Sequence, residues 1–181
     1  MPVMDRRILK SKEAIKTAFI ELLSEKRFNE ITIQDISDRA NVGRRTIYHH
    51  YLDKFDLQDK LIEEHLYELR KLCESTSNLD FVAANLIMFE YFRLHFSFFS
   101  TMLASTGAST FRCRLLKFLI EQLKNNVDIT QGINKGLNKE VILNFFGSAI
   151  VGIMESYIRN GTPESPKLVA EQVGILLERN L

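Results

Sequence analysis

The chain has no tryptophan, two cysteines, three prolines and eight glycines among 181 residues, and its formal charges sum to only +1. Each shortage excludes something. Cys73 and Cys113 stand alone, without CxxC or metal-ligand spacing, which fits free thiols in a reducing compartment and not a disulfide scaffold. So little proline and glycine excludes collagen-like and Pro/Gly-rich disordered classes. The N-terminal MPVMDRRILKSK has no apolar centre of the kind a secretory signal requires. The most apolar later run, Val141 to Met154, is interrupted by Asn144 and Ser148 and falls short of the roughly 20 residues needed to span a bilayer. A soluble, cytoplasmic protein is expected. No GxSxG, P-loop or HExxH occurs, and GINKG at 132–136 is too short and poorly placed for a phosphate loop, so neither an enzyme nor a cofactor is expected.

What is present is helical patterning. Hydrophobic residues make up 45% and charged residues 26%, an ordinary globular balance, and apolar residues recur at helical spacing without strand-like alternation. The fold class is therefore all-α, with about nine helices. Ile8, Ile15, Ala18, Phe19, Leu22 and Leu23 form one stripe of a first helix over about 8–25. In ITIQDI, Thr32 can cap a second helix, with Asp35 three residues on and Ile31 and Ile36 at the two staple positions. Asn41 tolerates a left-handed backbone and Gly43 follows, so that helix ends near Ala40. A third helix covers about 44–51, and Asp53 caps a fourth over about 54–74. Ser75 to Leu79 is a polar break. Five further helices are expected at about 80–94, 97–105, 109–126, 138–160 and 166–179, the last capped by Ser165 with Pro166 at its first position. The loosest connector is 127–137.

Function concentrates in RRTIYHHYLDK, residues 44–54. Two short helices joined by a tight turn, with Arg44 and Arg45 opening the second, have the proportions of a helix-turn-helix unit. Ile36, Ala40, Val42 and Ile47 would pack the pair together. Arginine can bond guanine edges in the major groove, while Thr, Tyr and Lys suit phosphate oxygens. Charge is consistent with this: residues 1–54 hold eleven Lys/Arg against eight Asp/Glu, net +3, leaving net −2 for the remainder. A metal site is the competing reading of the paired histidines, but neighbours on a helix point about 100° apart, whereas shared ligation wants spacing of three or four. The outward residues of the third helix are then Arg44, Arg45, Tyr48 and His49, and a plain solvated face explains the charges but not the buried-looking rings of Tyr48 and Tyr51 packed between them. No metal is expected.

FNEITIQDISDRANVGRRTIYHHYLDKFDLQDKL resembles the DNA-binding module of the TetR/AcrR family of bacterial transcriptional regulators, through Thr32, Ile36, Ala40, Val42, Thr46, Tyr48, Tyr51, Lys54 and Leu57. The resemblance implies phosphate contacts from Thr32, Thr46, Tyr48, His50 and Lys54, base contacts from Arg44 and Arg45, and either from His49. Asn41 stands where the family usually has Gly, and Gly43 where it usually has a small polar cap. We divide the chain into an N-terminal helix-turn-helix DNA-binding domain, 1–53, and a C-terminal helical regulatory and dimerisation domain, 54–181.

The second domain carries its own signals. Eight of thirteen phenylalanines fall within 81–118. Most are expected to be core, yet FEYFRLHFSFFSTML is apolar on more than one face, as helices lining a cavity are. With the family similarity this implies a small apolar effector held by Phe89, Phe92, Phe96, Phe99, Met102 and Phe118. Similarity also implies a homodimer through the last two helices, on Phe146, Ile150, Ile153, Tyr157, Val169, Val173 and Leu176, placing two recognition helices on a near-palindromic operator in double-stranded DNA. The expected function is a homodimeric repressor released by its effector. The end NGTPESPKLVAEQVGILL also resembles a subgroup that includes a dihydroxyacetone-kinase operon activator, which keeps open a protein partner in place of the small molecule.

Overall fold

In the computed structural model, residues 6–104, 108–126, 132–159 and 165–181 are described. They form helices α1 (Arg6–Glu25), α2 (Ile33–Ala40), α3 (Arg44–His50), α4 (Lys54–Ser75), α5 (Phe81–Leu94), α6 (Phe96–Ala104), α7 (Ala108–Asn126), α8 (Lys139–Arg159) and α9 (Pro166–Asn180), with 3-10 turns at Phe28–Glu30 and Gly132–Asn134. The fold is all-α, and no strand occurs among the described residues. The helix starts follow the expected chemistry. Ser165 accepts from Leu168 N ahead of Pro166, Asp80 accepts from Ala83 N at 2.7 Å, and Asp53 Oδ1 accepts from Phe55 N and Asp56 N at 2.9 and 2.8 Å.

The chain divides into two compact units, Met1–His65 with Ala104–Thr106, and Leu66–Leu103 with Gly107–Leu181, so that the division falls within α4. In the first unit Ile15, Phe19, Ile36, Ile47 and Leu57 are fully buried, which packs α1, α2, α3 and the start of α4 about one core. Ion pairs reinforce its outside: Arg39 holds Glu25 through both guanidinium ends at 2.8 and 2.7 Å and reaches Glu21 at 3.3 Å, tying α2 to α1.

The second unit is organised on aromatic rings and close helix approaches. Phe92 meets Phe99 edge-on at 4.9 Å, Phe98 meets Phe111 at 5.8 Å, and Tyr157 of α8 meets Phe89 at 5.2 Å. A Cβ on Gly174 of α9 would lie 2.5 Å from Val82 Cα and 2.7 Å from Val82 N, so α5 and α9 touch backbone to backbone there. At Gly147 of α8 the neighbours are side chains of α7: a Cβ there would lie 3.0 Å from Ile120 Cγ1 and 3.1 Å from Leu116 Cδ1. Asn134 Nδ2 donates to Asn180 O at 2.7 Å, anchoring the end of α9.

Helix α8 extends beyond the run 141–154 on both sides. At 21 residues with mean hydropathy 1.6 it is long and apolar enough to cross a membrane. Ile142, Leu143, Val151, Met154 and Ile158 are nevertheless buried against this unit, as in the core helix of a globular protein.

Candidate nucleic-acid interface and regulatory cavity

The turn between α2 and α3 is fixed from both sides. Thr32 and Asp35 form a reciprocal capping box: Asp35 N donates to Thr32 Oγ1 at 3.1 Å and Thr32 N donates to Asp35 Oδ2 at 2.7 Å. The Thr32 hydroxyl also donates to that carboxylate, and Lys26 Nζ sits 2.9 Å from its other oxygen. The Thr32 bonds, followed by Lys26, hold the Asp35 carboxyl down at about 2. At the far end Asn41 takes the left-handed conformation, φ 50° and ψ 48°. Ser37 Oγ donates to Val42 O at 2.6 Å and Val42 N donates to Ser37 O at 3.1 Å, closing the turn. Gly43 is the cap residue of α3, with φ −67°, ψ 144° and no capping side chain.

Helix α3 then sorts its residues by side. Ile47 is buried against the unit and Tyr51 is buried at the helix end, while Arg44, Arg45, Tyr48 and His49 are exposed. Tyr48, expected outward with the two arginines and His49, is 56% exposed, although its ring also suggested burial; Tyr51 is 3% exposed. With Ile47 turned inward, position 48 falls about 100° around the helix, on its outer side. Four side chains able to donate hydrogen bonds thus share one exposed surface. Thr46 and His50 are half-buried and, with Arg45 and His49, border a concavity of 560 Å³ completed by Arg7, Ile8 and Ser11 of α1. His50 Nε2 lies 3.4 Å from Ser11 Oγ. Burial first, then the charges of His49, Lys12 and Lys60, lowers the His50 pKa, which favours a neutral ring.

Lys54 behaves unlike the rest of the set. Its ammonium donates to Phe28 O at 2.9 Å, Asn29 O at 3.1 Å and Ile31 O at 2.8 Å. Those bonds use all three protons of a lysine. The ammonium also lies 4.8 Å from the centroid of the Phe28 ring. In this arrangement Lys54 pins the 3-10 turn that precedes Thr32, and holds no proton for a phosphate. A cluster of carbonyls from residues 28, 29 and 31 has no signature in the sequence, which is why the lysine was grouped with the DNA contacts. Lys60 has a comparable local part, donating to Asp56 Oδ2 at 2.8 Å and His50 O at 3.1 Å.

The second unit encloses a cavity of 410 Å³. Its walls come from the last turn of α4 and the connector that follows it, most of the length of α5 from Phe81 to Phe92, the inner sides of α7 and α8, and the last turn of α9. Of the expected effector residues, Phe89 and Phe92 line it, whereas Phe96, Phe99, Met102 and Phe118 do not. Phe99, Met102 and Phe118 are buried in the aromatic core, and Phe96 is half-buried. Met88, Leu119, Leu123 and Met154 line the cavity instead. Cys73 also faces it, its thiol pushed up to about 11, chiefly by burial.

The expected dimer strip is turned inward by a fraction of a helical turn. Phe146 and Ile150 pack against the buried cluster of Leu123, Ile142 and Leu143, and Tyr157 and Val173 are buried. Ile153 and Val169 are half-buried, while Leu176 is 52% exposed. The apolar side chains standing outward on α8 are Val141 and Phe145, 65% and 67% exposed, joined on α9 by Leu168 and Leu176.

Comparison with known proteins agrees with this geometry. Residues 15–60 match the family profile described as bacterial regulatory proteins of the tetR family, and residues 84–179, more than half of the chain, match the profile of a transcriptional regulator C-terminal region. An uncharacterized HTH-type transcriptional regulator, YxbF of Bacillus subtilis (strain 168), is 37% identical over 67 residues, which is 36% of this chain and 18% of that protein's length. Among solved structures, the dihydroxyacetone kinase operon activator DhaS superposes with a TM-score of 0.69 at 19% identity, over 94% of this chain and 96% of its own. The regulator FadR of Bacillus subtilis, in complex with stearoyl-CoA, superposes with a TM-score of 0.65 at 16% identity, over 93% and 98%. At these identities the structural likenesses speak for the fold.

Proposed function

The chain belongs to the TetR family of bacterial transcriptional regulators, and from that premise we propose that it is a homodimeric, sequence-specific repressor released from its operator by a small molecule held in the cavity of its second unit. The observation that carries the DNA-binding part is the exposed side of α3, where Arg44, Arg45, Tyr48 and His49 stand outward from a helix anchored by Ile47. In this reading the two arginines meet base edges, and Tyr48, His49 and Thr46 contact phosphates. Thr32, whose N–H and hydroxyl both donate to Asp35, acts as the cap that fixes the opening of α2 and reaches a phosphate only by exchanging its hydroxyl bond. Residues 1–53 with the first turns of α4 act as the DNA-binding domain, and the rest of the chain acts as the regulatory and dimerisation domain.

Two copies joined through the outward sides of α8 and α9 would present two recognition helices to half-sites one helical turn apart, about 34 Å, in a near-palindromic duplex. An effector that binds one conformation of the dimer better shifts the population away from the DNA-competent state. Helix α4 is the covalent route between the two ends of that coupling, since it starts in the first unit and ends at the cavity wall. That FadR was solved with stearoyl-CoA supports a ligand role for the second unit.

Selection of duplexes from random sequence, followed by anisotropy titration, tests the reading. Arg44→Ala and Arg45→Ala should each lose about 1–3 kcal/mol on the selected duplex and discriminate less at one position. Equal loss on selected and random DNA would assign the arginines to the backbone instead, and failure to enrich any duplex would remove the proposal.

A further inference from the structure

The cavity of the second unit is apolar over most of its wall, but its charged groups all have one sign. Asp80 and Glu178 belong to the lining, and no lysine, arginine or histidine does. Asp80 Oδ1 is taken by Ala83 N at 2.7 Å, as the cap of α5, and no other bond to this carboxylate occurs among the described residues. Glu178 has neither an ion-pair nor a hydrogen-bond partner among them.

Backbone dipoles add to the same sign. Cys73, Thr76 and Ser77 come from the last turn of α4 and its immediate continuation, and Leu177 and Glu178 from the last turn of α9, so two helix C-termini end at this wall. The last carbonyls are taken locally, Leu72 O and Cys73 O by Thr76, Glu74 O by Ser77, Leu177 O by Leu181 N and Asn180 O by Asn134, so each end contributes only the aligned peptide dipole, negative towards the wall. The last turn of α4 contains no basic residue, and Arg179 of α9 is exposed and outside the lining. The N-terminus of α5 is the one place where backbone N–H groups could receive an anion, and Asp80 already occupies it. Phe81, Phe89 and Phe92, with the thioethers of Met88 and Met154, make up much of the apolar wall.

We infer that this cavity takes a cationic amphiphile, an apolar body with an amine or quaternary ammonium head directed at Asp80 and Glu178, and that it excludes carboxylates and phosphates. The inference rests on reading the cavity as the effector site and names the chemical class of the ligand. Both carboxylates are exposed, so the head sits at the solvent-facing rim of the cavity, where an anion meets two like charges and no lining cation, whereas a cation gains from both.

Octyltrimethylammonium, octan-1-ol and octanoate share one alkyl chain and differ in head charge, so their effects on the melting of the full chain by circular dichroism separate charge from apolar fit. The ammonium should raise Tm in a concentration-dependent way, the alcohol less, and octanoate not at all. In the variant Asp80→Asn/Glu178→Gln, which keeps a good capping side chain on α5, affinity for the ammonium should fall about tenfold or more while that for the alcohol stays unchanged. Octanoate stabilising as strongly as the ammonium would overturn the charge assignment and leave the cavity standing as the effector site. Undiminished ammonium binding by the double variant would move the cation elsewhere and overturn it too. No shift with any of the three would remove the effector reading together with this one.

Discussion

Replacing Lys54 separates two roles that the same side chain could have. The sequence groups it with phosphate contacts, in which case Lys54→Ala weakens binding to all duplexes alike, lowers the salt slope by about one charge and leaves folding alone. The structure commits its ammonium to Phe28 O, Asn29 O and Ile31 O at 2.8–3.1 Å, with the Phe28 ring 4.8 Å below. A hydrogen bond to a charged group contributes about 1.5–3 kcal/mol, and leaving a buried carbonyl unsatisfied costs about 1–3 kcal/mol. Lys54 is half-buried and its bonds to Phe28 and Ile31 are part-buried, while the Asn29 carbonyl is in water. The exposed carbonyl is resolvated on mutation, and the three bonds share one charge and do not add, so we expect a loss of about 2–4 kcal/mol. For a chain of this length that corresponds to a fall in Tm of about 5–15 °C. Thermal melts of the wild type and of Lys54→Met, which keeps the aliphatic stem, measure it. Lys54→Arg should fall between them, because a planar guanidinium does not reproduce three diverging bonds. An unchanged Tm with a shallower salt slope would refute the clamp and restore the phosphate role.

Other perturbations follow from equally local geometry. Gly174→Ala places a methyl 2.5 Å from Val82 Cα, a backbone atom that cannot rotate away from a Cβ fixed by its own backbone; a loss of about 2–4 kcal/mol by denaturant unfolding is expected, and an unaltered midpoint would contradict the contact. Gly152→Ala meets nothing within 4 Å, so helix propensity should stabilise α8 by about 0.5–1 kcal/mol in the same assay. Phe145→Asp charges the most exposed aromatic side chain of α8; if the proposed dimer uses this face, light scattering at micromolar concentration should show a dimeric wild type and a monomeric variant, and an equal dimeric mass for both would place the contact elsewhere. Asp35, whose carboxyl titrates at about 2 in the folded chain, sits below its unfolded value. Its contribution is therefore complete above about pH 4 and is lost as pH falls towards 2, because the unfolded chain takes up the proton first. Asp35→Asn should flatten the acid limb of a Tm-against-pH curve between those values, and an identical limb would remove the assignment.

Much of the fold was legible because the signals that specify it are local. The capping box of Thr32 and Asp35, the left-handed Asn41 and the Ser165-Pro166 start each involve residues within a few positions of one another, so their chemistry can be read along the chain. The exposed arginines of α3 belong to the same class: once Ile47 is assigned inward, 3.6 residues per turn carries positions 44, 45 and 48 outward.

What the sequence by itself determined was which residues form helices, where those helices start and stop, and that a recognition helix opens with two arginines. The tertiary structure alone decided how those helices turn against one another. A rotation of a fraction of a turn buries Tyr157, half-buries Phe146 and exposes Val141 and Phe145, and composition is nearly blind to that rotation because α8 is apolar on several sides. It also decided that Lys54 meets three carbonyls more than twenty residues away, and that Asp80 and Glu178, nearly a hundred residues apart, share one cavity wall. Each of these depends on packing between distant segments, whose energy lies in contacts that no periodicity along the chain encodes.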